Sequence, residues 1–161
     1  MIMERIGNLV RAVARLCYSV AGLALCGIEL LTVTDVFLRL LRHPIVGAYE
    51  MVGLLGAVVI GMAIPQSTLD RGHVLMDFLT ARFPRRLQVF LEVTTRILGA
   101  GLFLLIAFNL WDLGDDLRLA GEVSPTLQIP QFPVAYGVAV SALIQCLVLL
   151  VMALESGRSK S

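Results

Sequence analysis

Charge is what this sequence has least of. Only 16% of its 161 residues are Asp, Glu, Lys or Arg, against 58% hydrophobic ones, whereas soluble domains carry roughly 25% charged residues. A water-soluble globular fold is therefore excluded, and the composition is that of an integral membrane protein. The formal net charge of +1 leaves no basic field for nucleic acid. Histidine occurs only as His43 and His73, both between apolar runs, which excludes a bundle that holds haem by histidines inside the membrane. Cysteine is equally scarce. Cys17, Cys26 and Cys146 are odd in number, lack the paired spacing of a metal or redox motif, and lie in apolar runs. They read as small packing residues.

What is there is four long apolar runs, at about 16–41, 49–69, 87–111 and 133–154, each near the roughly 20 residues that a hydrocarbon core requires. The pattern predicts an all-α integral membrane fold, one domain over 1–161, with four transmembrane helices. Ahead of the first span, Ile2, Ile6, Leu9, Val13 and Leu16 recur at helical steps opposite Glu4, Asn8, Arg11 and Arg15. This reads as an amphipathic helix in the headgroup plane; the alternative is an extension of the first span. Arg5, Arg11 and Arg15 also imitate a secretory leader. With Leu25 before Cys26, however, and the run continuing to Leu41, the segment is expected to be a retained span. A second interfacial helix is expected at Val74, Leu75, Phe78 and Leu79, inside the polar 70–86 connection and ended by Pro84.

Polar residues inside the spans are few. Glu29 sits near the middle of the first, where a carboxylate costs on the order of 3 kcal/mol and must face protein or water. Gly22, Cys26, Glu29 and Val33 share one stripe, expected to be the inward seam. Asp35 and Arg39 are spaced to pair, as are Glu92 and Arg96. In the second span Gly53, Ala57 and Gly61 recur every fourth residue, a contact face that lets another helix approach closely. In the fourth, Gly137, Ser141 and Gln145 form a stripe facing other helices, and Gln145 is a candidate hydrogen-bond partner for Glu29. After Trp111 the chain turns acidic at Asp112, Asp115, Asp116 and Glu122, and the segment with Pro125 and Pro130 is expected to lie on the membrane surface or on a partner.

Nine of the 13 basic residues fall on one side if the spans alternate: Arg5, Arg11, Arg15, Arg71, Arg82, Arg85, Arg86, Arg158 and Lys160. Positive segments stay inside, so both termini are expected in the cytoplasm. No catalytic constellation, cofactor motif or metal-ligand spacing is present, and an enzyme is not expected. Two readings remain. One is a subunit that binds another membrane protein. The other is a small proton-coupled exporter using Glu29, against which stands the lack of an inverted repeat or a pair of broken helices.

Gly72-His73-Val74 followed by Asp77 between spans two and three is similar to the signature of the small, DctQ-type membrane subunit of tripartite ATP-independent periplasmic (TRAP) transporters. So are Asp35 and Arg39 closing span one, Pro44-Ile45 and Glu50 before span two, and Leu127, Ile129-Pro130, Pro133 and Gly137 before span four. Each motif is short; their order over about 16–152 carries the likeness. One departure is Tyr49 and a single Glu50 where the family often has tryptophan and two glutamates. The resemblance implies a bacterial inner-membrane complex in which a periplasmic solute-binding protein delivers an organic acid. A large membrane subunit then moves it with sodium, and the small subunit is a scaffold without cofactor, metal or substrate ligand of its own. Its work would be done by Gly53, Ala57 and Gly61, by the outward residues Arg39, Arg42 and Glu50, and by the loop with Gly72, His73 and Asp77. For His73 and Asp77 two roles stay open: holding the loop against the large subunit, or ordering it locally.

Overall fold

The computed structural model describes residues 2–70 and 85–158. Among these the chain forms four helices: α1 (Ile2–Leu40), α2 (Ala48–Leu69), α3 (Arg85–Ala120) and α4 (Phe132–Arg158). Each contains a stretch long and apolar enough to cross a membrane, so the chain is an all-helical, multi-pass membrane protein. The 72–79 region, with Gly72, His73, Asp77 and the expected second interfacial helix, lies outside the described residues.

Two helices run longer than their apolar runs suggest. α1 passes through the amphipathic segment without interruption, so the N-terminal stretch continues the first span and makes no separate helix. Nothing there stops it: Arg, Ala and Leu are strong helix formers and no proline intervenes. At 39 residues α1 is about 58 Å long at ~1.5 Å per residue. α3 likewise continues past Trp111 through the acidic stretch to Ala120. α1 and α3 end alike, in a Schellman turn. In α3, Gly121 takes the left-handed position (φ 63) and Glu122 N–H reaches Leu117 O at 3.0 Å. In α1 that position falls to Arg42 (φ 62), and His43 N–H reaches Leu38 O at 2.9 Å.

The helices stand in a row rather than a closed bundle. Among the described residues α1 packs on α2, α2 on α4 and α4 on α3, with a smaller α1–α4 contact, while α1 and α3 share no substantial contact. α2 and α4 are thus the inner helices and α1 and α3 are the edges. The packed surface is built from small side chains: Ala14, Cys17 and Ala21 of α1, Ala100 and Ala107 of α3, and Ala139, Ser141, Ala142 and Cys146 of α4 are buried. Membrane helices associate by this close approach, because lipid is as apolar as any side chain. The largest apolar residues, such as Leu30, Phe37, Ile60, Leu98 and Phe108, are exposed.

Candidate interaction surfaces

The α1–α2 and α3–α4 connections lie at one end of the row, called the loop end here, and they are fastened together. Asp35 makes its expected pair with Arg39, Oδ2 to Nε 2.7 Å, and its other oxygen accepts the Ile45 N–H at 2.9 Å, drawing the first connection down onto α1. The Arg39 guanidinium stands over the Tyr49 ring, 5.6 Å from its centroid. Glu50, in the first turn of α2, accepts the Ser124 hydroxyl at 2.7 Å and the Thr126 and Leu127 N–H groups at 2.8 and 3.0 Å. Charge-assisted bonds of this kind are about twice as strong as neutral ones. The proline-containing segment after α3 therefore has its partner within the chain, at Glu50.

That segment is a compact turn. Ser124 N–H bonds Ile129 O at 2.9 Å and Gln128 N–H bonds Ser124 O at 3.1 Å, with Gln128 at φ 53. Its tip, Leu127, sits on Gly47, where any Cβ would overlap the leucine side chain. Gly47 itself has φ 76, so it is required both for conformation and for space. Gly47 and Ser124 were not singled out from the sequence. A glycine just before the helical Ala48-Tyr49-Glu50 run was the available signal, but its partner is some 80 residues away in the chain.

Within the row the fourth-span stripe behaves as expected. Ser141 and Gln145 are each 2% exposed. Ser141 Oγ donates to Gly61 O at 2.6 Å, a contact possible because Gly61 presses against Val138, whose methyls lie 3.0–3.1 Å from where a Cβ would stand. Gln145 Nε2 donates to Thr68 Oγ1 at 2.9 Å, while its Oε1 has no partner. Glu29 is not the partner of Gln145. Across the α3–α4 contact, Arg96 joins Glu92 at 2.6 Å, as its spacing implies, and also donates to Met152 O at 2.6 Å.

The outer faces carry the remaining sequence-derived residues. Gly22, Cys26, Glu29 and Val33 are all exposed, so this stripe is the outward face of α1 and not an inward seam. The cause is that Gly27 approaches Leu55 of α2 and the small Ala14-Cys17-Ala21 series is buried, which turns Glu29 away. The second-span stripe is split. Gly61 is buried against α4, Ala57 is half-buried, and Gly53 is exposed with nothing within 4 Å of where a Cβ would stand. Arg39 and Arg42 are exposed at the loop end.

Comparison with protein families finds that residues 28–158 match the model described as "Tripartite ATP-independent periplasmic transporters, DctQ component". No curated protein and no solved structure matches the chain. The matched range runs from just before Glu29 to the end of α4 and includes both halves of the Glu50 clamp.

Proposed function

The chain belongs to the DctQ components of the tripartite ATP-independent periplasmic transporters, and from that premise we propose that it is the small permease subunit that scaffolds a large membrane subunit. The family is one of transporter components, not of enzymes. On this reading the large subunit performs sodium-driven uptake of an organic acid delivered by a periplasmic binding protein. The complex resides in the bacterial inner membrane, with both termini of this chain in the cytoplasm and the loop end in the periplasm. The basic residues concentrated at the other end support that orientation.

The observation that carries the proposal is the open row of helices. Among the described residues the helices are arranged as a row, which leaves their broad faces uncovered and suits a contact surface better than a pathway. The chain has a rigid internal contact, with Ser141 on Gly61 and Arg96 on Met152, and two uncovered sides. A part that moves solute through the bilayer requires a neighbour that stays still, and a braced wall of helices suits that role. Arg39, Arg42 and the Glu50-clamped turn then form a firm periplasmic platform, while Gly53 and Ala57 remain available for helix contact. Gly72, His73 and Asp77 are assigned to the cytoplasmic loop of the same interface. The exporter reading loses its support from Glu29, which stands on an outer face rather than between helices.

The test is reconstitution. Liposomes holding this chain, the large subunit and the binding protein with its solute are expected to accumulate solute under an inward sodium gradient. Liposomes lacking this chain should show little uptake, and the chain alone none. Solute movement by the chain alone would overturn the proposal.

A further inference from the structure

Glu29 is the unexplained charge of this molecule. It lies 11 residues before Leu40, about 16 Å along the axis at ~1.5 Å per residue, which puts it near the middle of the bilayer. It is exposed, and no described side chain or backbone group bonds it. The other mid-helix charges, Glu92 and Arg96, hold each other. A carboxylate facing hydrocarbon at that depth is strongly disfavoured, so in the assembled protein this face is covered by something that donates to it.

The surroundings have the shape of a helix seat. Tyr18, Gly22, Leu25, Glu29, Thr32 and Val36 follow one another at steps of four, three, four, three and four, and all are exposed. This is the spacing of a seam that packs along a second helix. Gly22 has nothing within 4 Å of its would-be Cβ, leaving a notch two turns from Glu29. The opposite edge differs. Along the middle of α3 (98–108) the exposed side chains are apolar, among them Leu98, Leu102, Leu105 and Phe108, and although Gly101 leaves a similar notch, no charged residue stands beside it. The exposed polar side chains flanking that stretch, Thr95 and Asn109, are turned onto their own helix, donating to Leu91 O and Leu105 O at 2.8 Å.

We propose that the Tyr18–Val36 seam of α1 is where a transmembrane helix of the large membrane subunit docks, with a cationic or hydrogen-bond-donating side chain of that helix on the Glu29 carboxylate, and that α3 is the lipid edge. The proposal rests on the scaffold reading above and names its contact face. A donor at matching depth neutralises the cost of the carboxylate, so the seam is specific to a partner that carries one.

The experiment uses the complete complex in membranes, with a photoreactive benzophenone residue at Leu25 on α1 or at Leu102 on α3. The Leu25 position is expected to cross-link to the large subunit and the Leu102 position to lipid alone. In parallel, Glu29→Leu should reduce large-subunit co-purification at least several-fold and Glu29→Gln less. The isolated Glu29→Leu chain should keep its helicity and melting temperature, because Glu29 is exposed and makes no bond among the described residues. Cross-linking of Leu25 to a second copy of this chain or to lipid only, or full co-purification with Glu29→Leu, overturns the proposal while leaving the scaffold reading standing. If the unmodified chain fails to retain the large subunit at all, both fall.

Discussion

The inner helix α4 and the edge helix α1 carry polar residues at similar depths and treat them in opposite ways. On α4, Ser141 and Gln145 are buried and bonded to Gly61 and Thr68 of α2. On α1, Glu29 is exposed and unbonded. α4 is the more hydrophobic of the two and yet it buries its polar groups, so hydrophobicity does not dictate the treatment; what does is whether a neighbour of this chain is present to receive the polar group. Bonds satisfied at home hold the chain together. On the docking proposal, a group left open marks where a partner sits.

The sharpest way to break that comparison is a matched pair of glycine substitutions. Gly61→Leu forces a side chain against Val138 and severs the backbone approach that Ser141 needs, so it should destabilise the isolated chain by about 1–3 kcal/mol, the usual cost of overpacking. Gly22→Leu enters open space and should leave the melting temperature in detergent unchanged. Its effect should appear only in the complex, as lost co-purification of the large subunit. Equal thermal shifts in the two variants would show that inner and edge helices do not differ as described.

Next in size is the loop-end clamp, which sets a satisfied carboxylate, Glu50, beside the unsatisfied Glu29. Glu50→Ala removes the acceptor for the Ser124 hydroxyl and for the Thr126 and Leu127 amides. Those amides should then exchange with solvent on the order of tenfold faster, read by hydrogen–deuterium exchange of the 124–130 peptide. Glu29→Ala should not alter that peptide. Unchanged exchange in Glu50→Ala would mean that the turn holds its own shape without the clamp.

How much of this was legible in the sequence depends on how far apart the interacting residues are. The four helices, the Asp35–Arg39 and Glu92–Arg96 pairs and the buried Ser141–Gln145 stripe rest on periodicity and on neighbours four apart, and the structure shows them. The row arrangement was not readable, because helical periodicity says which residues share a face and not which neighbour covers it. Hence the Gly22-Cys26-Glu29-Val33 stripe reads as an inward face and Gln145 as a match for Glu29, and the fold places both otherwise. A small residue at a contact and a small residue awaiting one look identical in one dimension, as Gly61 and Gly53 illustrate. The Glu50 clamp joins positions more than 70 residues apart, and only the fold brings them together.

Arg42 sharpens the comparison from the end of the edge helix. It occupies the left-handed turn position that Gly121 occupies in α3, and a non-glycine residue there costs about 1–2 kcal/mol. Arg42→Gly should therefore raise the stability of the isolated chain by about 1 kcal/mol. If the exposed guanidinium serves the periplasmic platform, uptake by the whole complex should fall at the same time. A gain in stability with no loss of uptake would leave Arg42 as a tolerated imperfection and remove it from the contact surface.

The smallest effect is expected where the inner helix α4 is least well satisfied. Gln145→Leu replaces a buried amide whose Oε1 has no partner and whose single bond is to Thr68. Polar pairs between membrane helices average only about 0.6 kcal/mol, and the freed Thr68 hydroxyl can turn to a carbonyl of its own helix. The chain should thus lose well under 1 kcal/mol in a denaturant melt, far less than Gly61→Leu, and co-purification should be unaffected because Gln145 faces inward. A larger loss would mean that Oε1 finds a donor within the isolated chain, such as a bound water. The closed side of the comparison would then be more self-sufficient than its direct contacts imply.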